Sequence, residues 1–444
     1  MPADRCPADV PRHFRDHERV DARVPRRRPR AGAASTTTIS KTLQGIAVGG
    51  LNSAHRVIAT LEALGDEFIE RFDGFDYGYR MGCNVCDNAT AVSAHEYCLK
   101  VTGEPYVDCA NCGSEIHIGP AVAQIRDPDD RALDDDQLRS FAWYHSSTWA
   151  EWPSSVYAEH RSGELSSSWF AAQHIDLDRV VHTQTHQALH LGTYESAIEN
   201  MLRRMRNQGD GQSQFYLFRV GLAIRTGDVE PGYRDENADE AAQLTTDDLI
   251  DHSVVRYLNA REACGTISLA VRPDVIDAIQ GVAIPIDFGG LDLTEIQPEL
   301  DRIEAQRVSS LADALSPEVI RILDDPVTGP AQQRAVTWAR STAASAVYPA
   351  WRDASDLLAR HLLTDVSLAI VDDFVSALRQ RTTSKTDVND YARLFSAMSA
   401  LLSRGTDVTA IVASGASRKP PPSEPTDTLP ARGTRGREPH TERW

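Results

Sequence analysis

The sequence predicts an α+β chain on three observations: two Cys-x2-Cys pairs close together, a middle region of brief apolar runs between turn residues, and a C-terminal third of long amphipathic segments. The pairs mark a small metal-stapled module. The brief runs mark short strands, and the amphipathic segments mark helices that bury an apolar stripe. The chain divides accordingly into a basic arm (1–40), a helical segment (41–80), a Cys-rich ribbon (81–120), a mixed α/β domain with two small sheets (138–293), a helical bundle (294–412) and a Pro-rich tail (413–444).

Residues 1–36 hold nine Arg, five acidic residues and five Pro, and the tail from Gly415 holds six Pro. Neither end can bury enough apolar surface to offset the entropy of ordering, so both read as disordered. Between them, Val57, Ile58, Leu61, Leu64 and Phe68 recur at helical spacing and stop at Asp73-Gly74. Six aspartates between Asp127 and Asp136 read as a linker or a solvated helix start, with a boundary near residue 130. From Phe141 the runs FAWYHSS, QALHLGT, QFYLFRVGLAI, RYLNAREACGTISLAV and GVAIPIDF read as strands, and Tyr194–Met205 reads as a helix through Ala197, Ile198, Met201 and Leu202. Beyond Thr294, five amphipathic segments divided by Pro and Gly make the bundle, whose expected role is scaffolding or partner docking.

The 444 residues are 41% hydrophobic, with room for two or three domains. No stretch approaches the 18 or so apolar residues of a membrane span, and no basic-then-apolar leader opens the chain, so a cytoplasmic protein without a membrane partner is expected. A net charge of −18 argues against a general coat for nucleic acid. Only four Lys occur (Lys41, Lys100, Lys385, Lys419), and none follows a Gly, which excludes a GxxxxGK[ST] phosphate loop.

Cys83 and Cys86 are separated by 22 residues from Cys109 and Cys112. Each CxxC aims two thiolates at one point, and two such knuckles complete the tetrahedral S4 shell that Zn(II) favours, with iron or an unligated thiol cluster as the alternatives. With all four positions taken by sulfur, no site is open to water or substrate, so the metal is structural. The stretch resembles a zinc ribbon. It carries Lys100 against Asp87, Glu96, Glu104, Asp108 and Glu115, a poor balance for gripping phosphates. Cys98, between the knuckles, reads as a spare or packed residue, and Cys6 and Cys264 show no evident partner in the sequence.

His182, His186 and His190 sit at i, i+4 and i+8, with His174 nearby. On one helix the outer two would lie about 12 Å apart, too far for one ion. No HExxH accompanies them, and ALHLGT reads better as a strand.

Three segments of the mixed domain together resemble an ADP-ribosyltransferase core over residues 141–290: Trp143-Tyr144-His145-Ser146-Ser147-Thr148, Leu189-His190-Leu191-Gly192-Thr193-Tyr194-Glu195-Ser196-Ala197, and the run from Tyr257 through Asn259, Glu262 and Cys264 to Leu269. The resemblance implies NAD as substrate, bound in a cleft between two small sheets, and transfer of ADP-ribose to a protein or nucleic acid. On it, Glu262 stabilises the ribose as it turns cationic, Tyr194 stacks the nicotinamide, and Thr193 supplies the hydroxyl of the same turn. His145 contacts the adenosine-side ribose, with His190 its competitor, and Asn259 joins the cofactor-binding set. Residue 260 is Ala where an ExE motif would place Glu, so the arginine-specific version is not implied. The alternatives are a non-enzymatic ribbon adaptor that binds protein or nucleic acid, and a hydrolase built on Cys264 or the His row.

Overall fold

The structure is a computed structural model and describes residues 68–154, 186–236, 241–288, 292–324, 329–382 and 386–420. The basic arm, most of the expected 41–80 helix, the end of the Pro-rich tail, Cys6, His174 and His182 lie outside the described residues.

The described chain is mixed α/β, with eight α-helices and four small sheets. Two antiparallel hairpins open it: β1 (Tyr79–Gly82) with β2 (Ala89–Val92), and β3 (Tyr106–Asp108) with β4 (Glu115–His117). Helix α1 (Ala94–Thr102) lies between them in sequence, started by Ser93, whose hydroxyl accepts from the Glu96 amide. Where a helix was expected through Phe72, residues 68–72 are extended, and Ile69 bridges Phe141. The physical reason is a competing sheet. Arg219, buried in the strand Phe215–Leu222, donates to Glu70 at 2.7 Å, and the Tyr144 hydroxyl donates to the same carboxylate at 2.6 Å. These bonds draw the segment along the sheet surface, and helical periodicity alone does not outweigh them.

The mixed region forms two sheets. One has the order β11 (Ile276–Ile284), β7 (Phe215–Leu222), β5 (Trp143–Ser147); the other has β6 (Leu189–Leu191), β10 (Ile267–Val271), β9 (Val254–Leu258), β8 (Arg234–Asp235). They meet where Tyr144 and Gly192 exchange backbone hydrogen bonds of 2.9 and 3.0 Å. Trp143, Trp152, Phe218, Val220, Leu258, Ile267 and Leu269 fill one buried cluster shared by both sheets. Strand alternation sends Leu191 and Leu269 into this cluster and turns Ala270 and Tyr257 to a smaller one under Leu244 and Leu249.

Helix α2 (Tyr194–Asn207) leaves the junction of the two sheets. Its apolar positions join a larger core that runs from Tyr79 and Met81 of the ribbon to the helices α3 (Gln297–Ala314), α5 (Pro330–Leu362), α6 (Leu368–Arg379), α7 (Val388–Ser403) and α8 (Gly405–Ala413), while the short α4 (Pro317–Asp324) packs against α5. Two boundaries differ from the sequence pattern. The run DASDLLARHLLTDVSLAIVDDFVSALRQ is two helices, broken at residues 363–367, where the Ser367 amide donates to the Phe75 carbonyl at 2.9 Å. Conversely α5 continues through Pro349, which forfeits one intrahelical hydrogen bond while the packing of Ala350, Ala354 and Leu358 holds the axis.

Candidate functional site

The four ribbon cysteines come together. Cys83 and Cys86 sit in the turn of the first hairpin, Cys109 and Cys112 in the turn of the second. The two turns repeat one backbone pattern. In each, the first Cys amide donates five residues on, Cys83 to Asn88 at 3.0 Å and Cys109 to Ser114 at 2.8 Å. In each, the amide four residues on returns to the first Cys carbonyl, from Asp87 and Gly113 at 2.9 Å. That returning residue is left-handed both times, with φ of 57° and 72°. The turn therefore demands Gly or a short Asp side chain there.

The sulfurs all lie within 4.8 Å of one another, with Cys83–Cys112 at 3.7 Å and Cys86–Cys109 at 3.6 Å. A disulfide would require about 2.05 Å, whereas the edge of a ZnS4 tetrahedron with bonds of about 2.3 Å is about 3.8 Å. The cluster can hold a metal ion such as zinc. Backbone amides favour thiolates: the Asn88 amide, then its side chain, lower Cys86 to about 6, and the Cys112 amide lowers Cys109. Cys83, despite the Val85 amide, is held up at about 11 by desolvation and its sulfur neighbours. A divalent ion displaces that remaining proton.

The three segments carrying the other candidate residues also converge, on the first turns of α2. Thr193 caps the helix, its hydroxyl accepting from the Ser196 amide at 3.3 Å. Gly192 before it is required by space, because a Cβ there would lie 2.3 Å from Ser196 Oγ and 3.0 Å from Ser268 Oγ. Asn259 organises the loop between β9 and β10: its Nδ2 donates to Ser196 and Ser268, each at 3.2 Å, and its Oδ1 accepts from the amides of Arg261 and Glu262. Glu262 is 8% exposed, and its Oε1 accepts from Arg203 Nε at 2.5 Å and Asn200 Nδ2 at 3.5 Å. Ser196, Asn200 and Arg203 share a helix face at i, i+4 and i+7. That spacing was the available signal for Asn200 and Arg203, which sequence reasoning passed over in favour of the apolar stripe.

His145 and His190 form the other end of the group. His145 Nδ1 lies 2.8 Å from the His190 carbonyl oxygen, so it carries the proton and donates, while the ring stacks on Trp152 at 4.1 Å. His190 Nδ1 lies 3.2 Å from the Tyr257 hydroxyl, and its Nε2 is buried with no hydrogen-bond partner among the described residues. Desolvation lowers His145 to about 3 and His190 to about 4, from an ordinary 6.5. The unfolded chain therefore binds these two protons first as pH falls, and stability declines from about pH 6.5 toward pH 4. Between pH 7 and pH 5 each histidine costs about 2 kcal/mol. The double variant His145→Gln, His190→Gln is expected to lose about 4 kcal/mol less than the parent over that interval, by urea unfolding at the two pH values. Equal losses would refute the buried, neutral assignment.

Tyr194 points elsewhere. Its ring is fully buried, edge-on to Phe72, Phe75 and Tyr144, and its hydroxyl donates to the Leu401 carbonyl of α7 at 2.8 Å. It stands with the core and apart from His190 and Glu262. His190 lies on a strand, which removes the helical spacing on which a shared His row would depend, and His186 joins the backbone ladder by accepting from the Thr246 amide at 2.8 Å. Cys264 is buried beside Glu262, its thiol pushed up to about 12 by desolvation, a poor nucleophile.

Sequence reasoning also missed Glu236, buried against the Glu262 loop, and Glu199, half-buried against it: Glu236 accepts from the Ala260 amide at 2.7 Å and Glu199 from the Ala263 amide at 2.8 Å. Burial raises Glu199 to about 8 and Glu236 to about 6. A cavity lined by Phe72, Asp76, Asp365, Leu402 and neighbours includes none of the sequence-predicted site residues. None of the helices in the described residues is long and apolar enough to cross a membrane. Comparison of the chain with protein-family models, with curated proteins and with solved structures finds no match.

Proposed function

We propose that this chain is a zinc-stapled, NAD-dependent ADP-ribosyltransferase-like protein, with the acceptor a protein or nucleic acid. The observation that carries this reading is the meeting of the three resembling segments on one helix, with Glu262 braced beside Asn259 at the loop between two strands. Arg203 pairs with Glu262 Oε1, which leaves Oε2 to accept from the ribose 2′-hydroxyl. As the nicotinamide bond lengthens, positive charge spreads over the ribose, and a fixed anion beside it lowers the barrier without reorganising. The neutral His145 and His190 suit contacts to hydroxyl groups and exchange no proton at neutral pH. Tyr194 contributes through packing. The ion at Cys83, Cys86, Cys109 and Cys112 is closed to substrate and supplies rigidity.

Purified full-length protein is expected to release nicotinamide from NAD. Glu262→Gln, nearly the same size, is expected to lower that rate at least tenfold with metal content and folding unchanged. Equal turnover in both proteins, or none in the parent, ends the reading.

One observation favours a second reading, a ribbon adaptor without catalysis: the ribbon leaves Val85 71% exposed on its first knuckle and Tyr106 on its second hairpin, while His145 is packed under Trp152. Calorimetry separates the two. No heat with NAD but tight binding to a protein or DNA favours the adaptor.

A further inference from the structure

The loop that carries Glu262 is strained and is held from outside. Ala263 has a φ of 47°, a conformation L-residues rarely adopt, and Gly265 follows at 90°. Such a turn persists only where its surroundings over-determine it. Two groups do so here. Glu199, on α2, accepts from the Ala263 amide with Oε2 at 2.8 Å and from the Tyr77 hydroxyl with Oε1 at 2.6 Å. Arg126 donates from Nη2 to the Ala263 carbonyl at 3.1 Å and from its amide to Gly265 at 2.8 Å, while its guanidinium lies 4.0 Å over the Tyr77 ring. Tyr77 in turn packs edge-on to Tyr79 of β1, the strand that leads into Cys83.

Both grips on Ala263 thus run through Tyr77, and Tyr77 belongs to the segment that opens the ribbon. We propose that Glu199 is the positioning residue for Glu262, acting through the Ala263 amide, and that Tyr77 makes its grip depend on the metal-bound ribbon. This assignment rests on the reading of Glu262 given above for its catalytic consequence, but the mechanical link does not. The carboxyl of Glu199 faces Tyr77 and the Ala263 amide and is placed beyond the ribose-facing loop residue itself, so it is not assigned a contact with substrate.

Hydrogen exchange of the full-length, zinc-loaded protein tests the link directly, read on peptides covering residues 259–266. Glu199→Leu and Tyr77→Phe are each expected to speed exchange there at least tenfold, with peptides from β7 and β11 unchanged, and Glu199→Gln is expected to restore protection within about twofold because an amide can serve both neighbours. Removing zinc from the parent with a chelator is expected to speed the same peptides, and to add little in Tyr77→Phe. Unchanged exchange in Tyr77→Phe overturns the link whether or not Glu199→Leu folds, and a zinc effect of equal size in Tyr77→Phe and parent overturns its dependence on the ribbon. In a parent that turns over NAD, Glu199→Leu is expected to lower kcat about tenfold with KM unchanged and Gln to rescue it; loss confined to KM overturns the positioning role. A parent without turnover removes the transferase reading, and exchange alone then decides the link.

Discussion

Cys109→Ser is expected to take the bound metal from about one ion per chain to nearly none and to unfold the ribbon. A serine oxygen is a poor replacement for a thiolate toward zinc, and a closed four-sulfur site has no spare ligand to recruit. The module has little else to hold it: its two hairpins are four and three residues long per strand, and isolated hairpins of this length are unstable in water. Structural zinc contributes on the order of 10 kcal/mol to such modules, far more than a typical core substitution. Because Tyr79, Met81, Val107 and Ile116 share a core with α2 and the bundle, the damage spreads beyond the ribbon. Elemental analysis and proteolysis of residues 79–118 measure both consequences. A metal-free Cys109→Ser protein with the parent's unfolding midpoint and protease resistance would show that sulfur packing alone holds the hairpins.

The second large effect is expected at Tyr194. Its ring joins Phe72 of the extended segment and Phe75 beyond it to Tyr144 of β5, with centroid separations of 5.4, 6.1 and 5.5 Å. Its hydroxyl satisfies a carbonyl near the C-terminal end of α7. Tyr194→Ala removes the ring and leaves a cavity that rigid neighbours close only in part, a loss of about 3–5 kcal/mol. Tyr194→Phe keeps the ring and strands one carbonyl, about 1 kcal/mol. Urea unfolding of the two variants measures the difference. In a chain that turns over NAD, Tyr194→Phe is expected to retain the parent rate. A large drop in rate at unchanged stability would instead return Tyr194 to the substrate.

The parts of the site that depend on local chain geometry were legible in the sequence. Two residues between cysteines bring their thiols to one side of a turn, whatever surrounds them, so the ligand set follows from spacing. The cap at Thr193 and the Gly192 turn are likewise local. The polar braces are not. Glu199 sits among Ile198, Met201 and Leu202, where a charged residue in an amphipathic pattern reads as the solvated side of the helix. Only the approach of Tyr77 and Ala263, 122 and 64 residues away, makes it a half-buried acceptor.

The sequence by itself determined the four-cysteine cluster, the strand character of LHL and ISLAV, and the helices of the last third, because each depends on periodicity or on a turn that neighbouring residues close. The tertiary structure decided the rest: that Tyr194 turns into the core, that residues 68–72 run extended along a sheet, and that the Glu262 loop is gripped from the ribbon side. Those outcomes turn on which distant group satisfies a buried hydroxyl, carboxylate or amide, and desolvation makes that choice costly to leave unmade. Periodicity records which face of an element is buried; it carries no record of the partner that buries it.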